Sequence, residues 1–357
     1  MEGYDEIEGL IQISITVLIS LTFCHYVARK IPQGITRLVS ILPVISIFTF
    51  LPLLVSSVHL VVTVTGVITW ICSFKLVLFA FNQGPLSSPR AITLSHFIPI
   101  ACLPIQIKQE TPMQNNITRK GAKSNLNYAI KVLLSALLLQ TYRYRPYIHP
   151  NMILTLYSIH LYLNIEIILA ITALPARVLF GFEIESQFED PYFSTSLQDF
   201  WSRRWNLMIT SILRSTVYLP IRRISTPVIG RAWALVVSLV MTFFVSGLFH
   251  ELLYFYTSHV TPTWEVTCFF VLHGLCTALE IMVKKKLGDK RRLHPIVSRS
   301  LTIVFVELTA FWLFFPQLIR NEIDVKIIGE YSSFAKFIRH TFLSAVTKIS
   351  SKGKLSY

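Results

Sequence analysis

The chain of 357 residues carries 33 basic and 19 acidic residues, a net charge of +14, and is 53% hydrophobic but only 15% charged. Soluble domains carry about 25% charged residues, so this composition excludes an ordinary soluble protein, and it equally excludes disordered, collagen-like and small disulfide-rich chains. The basic excess does not indicate nucleic-acid binding, because no zinc-finger, RRM or helix-turn-helix pattern occurs. A polytopic membrane protein remains.

Eight apolar segments predict an all-α membrane fold with about eight transmembrane helices, within a range of seven to nine. A bilayer core about 30 Å thick requires about 20 apolar helical residues, and most of the segments are that long. We treat the whole chain, 1–357, as a single membrane domain. The predicted spans are residues 10–28, 38–57, 58–80, 127–141, 151–174, 233–256, 266–283 and 300–318. The charged residues inside them are only six: Lys75, Lys131, Glu166, Glu251, Glu280 and Glu307.

The charges outside the spans predict the orientation of the chain. Residues 2–8 are acidic, whereas residues 29–37 and 284–292 are basic. Lys and Arg collect on the cytosolic side of membrane proteins, so we expect the N-terminus outside and both basic loops in the cytosol. Alternation through the spans then puts the longest region between spans, residues 175–232, in the cytosol.

A connection of nearly 60 residues is expected to contain structure or function. Ser196, with Asp199 three residues later, resembles a capping box that begins a helix. Trp201 and Trp205 would share one face of that helix, and Arg203 and Asn206 would share another. On composition alone these residues favour an amphipathic helix at the membrane interface with aromatic anchors, and a functional motif is the alternative.

The sixth predicted span holds two ionisable residues, His250 and Glu251, in an apolar helix. Insertion of a central charged group costs about 2.5–3.5 kcal/mol, so such residues indicate either function or a hydrogen bond between helices. Ser246, His250 and Tyr254 recur every four residues and form one polar stripe. Glu251 is turned about 100° from His250, so we do not expect both to act on the same atom. Gly247 permits a close approach by a neighbouring helix or an acyl chain.

The chemistry that His250 favours is general-base catalysis. The G-x-S-x-G motif is absent, and no nucleophile indicates a covalent triad. A lone imidazole can take a proton from a hydroxyl, provided that the attacked group is already activated. We interpret His160 and His273 as structural residues, and the five cysteines as buried apolar side chains without metal-ligand spacing.

Two motifs carry a resemblance to a known family. They are Leu197–Asn206, which contains Phe200 to Asn206, and Ser246–Glu251, one apolar span later. Together they resemble the plant wax synthase family, the long-chain-alcohol O-fatty-acyltransferases, which is a branch of the membrane-bound O-acyltransferases. The resemblance extends over nearly the whole chain through Gly84–Ser87, His160–Leu163 and Phe315–Leu318.

The resemblance implies transfer of an acyl group from acyl-CoA to a long-chain alcohol, giving a wax ester, in the endoplasmic reticulum membrane. It implies His250 as general base and Asn206 as its partner, acyl-CoA as co-substrate, no bound cofactor, no metal and no nucleic-acid partner. The acyl-CoA side of the site would be formed by Arg203, Arg204, Trp205 and Arg214. Two alternatives stay open: an acyl- or acetyltransferase for a sterol, terpenoid or diacylglycerol hydroxyl, and a transporter or non-catalytic lipid-binding protein.

Overall fold

The computed structural model describes residues 2–104, 125–181, 184–287 and 293–353, and within these ranges the chain is helical, without a β-strand. Seven of the described helical segments are long and apolar enough to cross a membrane. The predicted all-α membrane fold is therefore confirmed. The helices are α1 (Glu2–Tyr26), α2 (Ile35–Phe50), α3 (Val58–Ala80), α4 (Leu94–Cys102), α5 (Asn125–Thr141), α6 (Pro150–Phe180), α7 (Leu207–Leu213), α8 (Leu219–Ser258), α9 (Glu265–Leu287), α10 (Pro295–Thr309), α11 (Phe315–Arg320) and α12 (Ile323–Gly353).

The outer faces of these helices carry large exposed apolar side chains, among them Ile19 on α1 and Val178 on α6. An apolar surface of this extent is expected to contact lipid and not water, which agrees with a multi-pass membrane protein. Seven predicted spans coincide with long apolar helices. The eighth, residues 127–141, forms α5, which at 17 residues is about 26 Å long and so slightly shorter than the bilayer core.

Residues 38–80, which were predicted to form two spans, are divided between α2 and α3. α2 ends at Phe50, a short 3₁₀ turn at Leu51–Leu54 follows, and the backbone is extended at Val55. Pro52 cannot donate a backbone hydrogen bond, which favours the end of the helix there. α1, α2 and α3 then pack on α4 in one apolar core.

α4 is a nine-residue helix, about 14 Å long and too short to cross a bilayer. The buried Lys75 of α3 donates from Nζ to the carbonyl oxygens of Ile100 (2.7 Å) and Leu103 (2.8 Å). These are orphan carbonyls of a helix C-terminus, where a cation is stabilising. Lys75 therefore anchors α4 against α3.

Two carboxylates from distant parts of the chain meet at the N-terminus of α3. Glu6 accepts from the backbone N–H groups of Ser56 and Ser57, both at 2.8 Å. Glu330 of α12 accepts from the N–H of Val58 at 2.6 Å and from the imidazole of His59. Burial favours a higher pKa for Glu330, but these hydrogen bonds prevail and hold its pKa below the usual range. Both terminal helices are thereby joined to α3.

The structure narrows the predicted loop at residues 175–232. α6 continues to Phe180 and α7 begins at Leu207, and the described residues between them, 181 and 184–206, include short helical turns at Pro191–Phe193 and Leu197–Arg204. The sequence obscured this because Arg214, Arg222 and Arg223 interrupt the apolar pattern. α7 continues through a π-helical turn, Arg214–Tyr218, into α8. α8 has 40 residues and would be about 60 Å long if straight, but Gly230, at φ 77° and ψ 165°, breaks it.

α8 and α9 are in close contact at Gly247, which confirms the expected contact with a neighbouring helix. A Cβ added to Gly247 would lie 2.8 Å from the Cα of Thr267. We therefore expect Gly247→Ala to force the helices apart and to cost about 1–3 kcal/mol of stability. The thermal unfolding midpoint in detergent measures this. Gly329→Ala is the matched control, because nothing lies within 4 Å of a Cβ there; equal midpoints for the two variants would contradict the prediction.

Candidate active site

A cavity of about 1630 Å³ lies in the bundle. Pockets for single small ligands span about 300–1,000 Å³, so this one has room for more than one long substrate. Its walls are mainly apolar side chains of α3, α5, α6, α8, α9 and α10. Five of the six site residues predicted from the sequence line it: Arg203, Trp205, Asn206, Arg214 and His250.

The hydrogen bond of His250 determines its tautomer. Nδ1 lies 2.8 Å from the carbonyl oxygen of Ser246, one turn earlier on α8. A carbonyl oxygen only accepts, so Nδ1 must carry the proton and Nε2 of the neutral ring has a free lone pair. The imidazole is thus oriented by a backbone carbonyl, and not by the Ser246 or Tyr254 hydroxyl of the predicted polar stripe. His250 can accept a proton at Nε2.

Aromatic rings surround the imidazole of His250. The ring centroids of Phe270, Trp70 and Phe314 lie 4.4, 5.3 and 6.0 Å from it. Tyr254 donates to the carbonyl oxygen of Phe314 at 2.9 Å, which joins α8 to the turn after α10. This packing restricts the ring to one orientation and limits access of water. Trp70 had no sequence signal, because it lies 180 positions away from His250 in an ordinary apolar span.

Glu251 does not belong to the cavity wall. It is 2% exposed, and its Oε1 accepts from the backbone N–H of Thr267 at 3.2 Å. Thr267 is in the first turn of α9, where backbone donors lack partners within the helix and a carboxylate is favourable. Glu251 therefore caps α9, in agreement with the expectation that it does not act on the same atom as His250.

The residues from Leu197 to Asn206, here called the motif segment, form a short helix. Its predicted cap is present, since Ser196 Oγ accepts from the N–H of Asp199 at 3.1 Å. After Asp199 the helix widens into a π-helical turn at Phe200–Arg204. The sequence did not predict this widening. The motif segment ends at Asn206, whose backbone adopts left-handed geometry with φ 40° and ψ 67°.

Asn206 serves as the N-cap of α7, with its Oδ1 accepting from the N–H of Ile209 at 3.3 Å. Asn tolerates the left-handed region better than most residues with a side chain. Because the oxygen is engaged in the cap, the amide group's N–H donors are the part of the side chain left for a ligand in the cavity. Asn206 is therefore suited to donate hydrogen bonds and not to accept them.

The arginines predicted for the acyl-CoA side, two in the motif segment and one after α7, separate into two groups. Arg204 pairs with Asp199 at 2.8 Å and donates to the carbonyl oxygen of Glu189 at 2.9 Å, so it holds the loop and the described structure does not place it on the cavity wall. Arg203 is exposed and lines the cavity, and Arg214 lies over the ring of Tyr218 at 5.9 Å. Of the three arginines predicted for the acyl-CoA side, Arg203 and Arg214 therefore line the cavity, whereas Arg204 is not on its described wall.

Trp201 lies inside the bundle and not at its margin. Its ring contacts those of Phe243 at 5.5 Å and Phe270 at 5.9 Å, and its indole nitrogen donates to His273 at 3.0 Å. Trp205 stacks on Phe200 with ring centroids 5.4 Å apart. The interfacial helix favoured by composition is therefore wrong for Trp201, because the tertiary fold turns this face inward.

Charged residues within the spans are partnered between helices. Lys131 of α5 and Glu166 of α6 form an ion pair at 2.5 Å, and Glu307 of α10 accepts from Ser158 of α6 at 3.0 Å. Lys131 and Glu307 both line the cavity. The sequence indicated interhelical partners for the glutamates, but it could not indicate that these partners also give the apolar cavity two polar patches.

Comparison with known proteins gives a consistent result. The model of the membrane bound O-acyl transferase family matches residues 184–272, which contain both the motif segment and His250. Over 328 residues the chain is 44% identical to probable long-chain-alcohol O-fatty-acyltransferase 1 of Arabidopsis thaliana, covering 91% of this chain and 95% of the relative. It is 40% identical over 336 residues to the long-chain-alcohol O-fatty-acyltransferase of Simmondsia chinensis (93% and 95%). Acyl-CoA–sterol O-acyltransferase 1 of Arabidopsis thaliana is also 40% identical, over 323 residues (90% and 93%).

Proposed function

Since this chain belongs to the membrane-bound O-acyltransferase family, among the long-chain-alcohol O-fatty-acyltransferases, we propose that it esterifies a long-chain alcohol with the acyl group of acyl-CoA to give a wax ester. The observation that carries the proposal is His250, whose Nε2 has a free lone pair on the wall of a large apolar cavity. We further propose that the enzyme works in the endoplasmic reticulum membrane with the motif segment on the cytosolic side, where acyl-CoA is found.

In this mechanism His250 Nε2 takes the proton of the alcohol hydroxyl as its oxygen attacks the thioester carbonyl. The carbonyl oxygen becomes negative, and the amide N–H groups of Asn206 donate to it. When the carbon–sulfur bond breaks, the imidazolium returns its proton to the CoA sulfur. The products are an ester and free CoA, and no group on the enzyme is changed.

The acyl-CoA arm of the proposal rests on Arg203 and Arg214. A guanidinium presents a fork of donors that fits phosphate oxygens, and both side chains line the cavity near the motif segment. Tyr192, which also lines the cavity, donates to Asp190 Oδ1 at 3.0 Å. Partial burial, followed by this hydrogen bond, raises the pKa of Tyr192 to about 12, and the phenol is neutral at cytosolic pH with or without this shift.

Arg203 and Arg204 are expected to behave differently although they are neighbours. Arg203→Ala should raise the KM for acyl-CoA about 5- to 20-fold, as loss of a charge-assisted hydrogen bond predicts, and should leave the KM for the alcohol unchanged. Arg204→Ala should instead lower the yield and thermal stability of the protein, because Asp199 loses its ion-pair partner and the Glu189 carbonyl loses a donor. Steady-state kinetics and unfolding midpoints measure both effects. An unchanged acyl-CoA dependence in Arg203→Ala would remove it from the binding site.

A sterol is the second candidate acceptor. Its support is that the sterol-acylating relative is as similar to this chain as the Simmondsia enzyme, and a cavity of about 1630 Å³ has room for either alcohol. An assay of microsomes with labelled acyl-CoA and a panel of fatty alcohols, sterols and diacylglycerol separates the candidates. Wax ester formation with fatty alcohols supports the proposal, sterol ester alone would favour the second candidate, and no ester with any acceptor would refute both.

A further inference from the structure

A chain of hydrogen bonds joins the motif segment to α9 and α10. The indole Nε1 of Trp201 donates to Nδ1 of His273 at 3.0 Å. The other ring nitrogen of His273 lies 2.9 Å from Oγ1 of Thr309. Thr309 in turn donates to the carbonyl oxygen of Phe305 at 2.7 Å. His273 is fully buried in the bundle.

The direction of every bond in this chain can be assigned. The carbonyl of Phe305 only accepts, so the hydroxyl proton of Thr309 points to it and its oxygen accepts from His273. Nε2 of His273 therefore carries the proton, and Nδ1 has the lone pair that receives the indole N–H. Only the neutral, Nε2-protonated form of His273 satisfies both neighbours.

A second contact fixes the start of the motif segment to the same face of α9. The N–H of Leu197 donates to Oε2 of Glu280 at 2.8 Å. Glu280 is seven residues after His273, which places both on one face of α9 two turns apart. Leu197 and Trp201 are one helical turn apart. α9 therefore binds the motif segment at two positions: His273 accepts from Trp201, and Glu280 accepts from Leu197.

The indole ring of Trp201 also contacts one of the rings that surround His250. Trp201 contacts Phe270, with ring centroids 5.9 Å apart, and Phe270 lies 4.4 Å from His250. Asn206, the last residue of the motif segment, follows Trp201 by five positions in the chain. Trp201 is thus linked to the proposed base through the Phe270 ring and to the proposed amide donor through the backbone of the motif segment.

We infer that His273 is a positioning residue, which holds Trp201 through Nδ1 and thereby sets Asn206 and the Phe270 ring in register with His250. The effect expected on kcat rests on the proposed function. The effect expected on the position of the motif segment does not. Loss of the acceptor leaves a buried indole N–H without a partner, and a small displacement of Asn206 weakens contacts made mainly in the transition state.

The test uses two variants that keep the volume of the core. His273→Leu removes both hydrogen bonds, and Thr309→Val removes only the partner of Nε2 and frees the imidazole to change tautomer. Thr302→Val is the matched control, two turns earlier on α10, where among the described residues the hydroxyl donates only to the carbonyl oxygen of Ser298 in its own helix. Amide hydrogen exchange of residues 197–206 and steady-state kinetics are measured for each.

We expect exchange in residues 197–206 to rise in His273→Leu and Thr309→Val, and kcat to fall about tenfold or more in His273→Leu with the KM for the alcohol unchanged. Thr302→Val should match wild type in both. If the amides of residues 197–206 exchange at the wild-type rate in both His273→Leu and Thr309→Val, the inference is overturned, whatever the kinetic constants are. If wild-type enzyme forms no ester, the proposed function fails, yet the exchange data still decide whether His273 holds the motif segment.

Discussion

Replacing His250 by Ala is expected to lower kcat for ester formation by about 100- to 10,000-fold, the usual contribution of a general base. The physical reason is that the other described contacts of the ring supply no basic group: they are the carbonyl oxygen of Ser246 and the rings of Phe270, Trp70 and Phe314. Because the proton moves only in the transition state, the KM values for acyl-CoA and alcohol should change little. Microsomal assays with labelled acyl-CoA measure all three constants.

His340→Ala is the control for this substitution, because His340 is exposed on α12 and does not line the cavity. It should leave kcat at the wild-type value. His250→Gln tests the chemistry further, since it keeps a hydrogen-bonding side chain but supplies no base, and it should be as inactive as the alanine variant. Ester formation at the wild-type rate in either His250 variant would show that the base is another group.

Asn206→Asp is expected to reduce kcat by about 100- to 1,000-fold, as for loss of an oxyanion-hole donor, while the protein stays folded. Asp keeps the oxygen that caps α7 at Ile209 and tolerates the left-handed backbone, but it replaces the N–H donors with a carboxylate. Asn206→Gly accepts φ 40° and removes the whole side chain, and at an N-cap it costs only a few tenths of a kcal/mol. It should lose activity to a similar extent.

The comparison at Asn82 controls for backbone geometry. Asn82 also has a positive φ, 54°, but it is exposed and does not line the cavity. Asn82→Asp and Asn82→Gly should therefore leave kcat unchanged. Unfolding midpoints of all four variants should lie near wild type. An Asn206→Asp enzyme with wild-type kcat would mean that the amide donors take no part in the reaction.

Local patterns were sufficient to predict the helices and to select His250 as the proposed base. Charge-free runs of about 20 residues specify transmembrane helices because the bilayer offers the backbone no other partners. A costly imidazole in such a run drew attention to His250, and the capping box at Ser196 followed from side-chain geometry within four residues. Each of these features depends on neighbours in the chain, so the sequence alone contained them.

The role of a residue whose partner is distant in the sequence could not be predicted from local patterns. Arg204 belonged to the same basic motif as Arg203, and only the position of Asp199 and of the Glu189 carbonyl showed that it holds the loop. Trp201 had the composition of an interfacial anchor, and only the packing of α8 and α9 turned it inward. Amino-acid type indicates which bonds a side chain can make, but not which partner lies within reach.

The sequence by itself determined that this protein is a helical membrane protein, that its basic motif and His250 belong together, and which family it resembles. Tertiary structure decided which nitrogen of His250 is free, which arginines line the cavity, and how His273 joins Trp201 to α10. The reason is physical: hydrophobicity and helical periodicity act over a few residues, whereas hydrogen bonds of 3 Å between residues 36 or 72 positions apart exist only once the helices have packed.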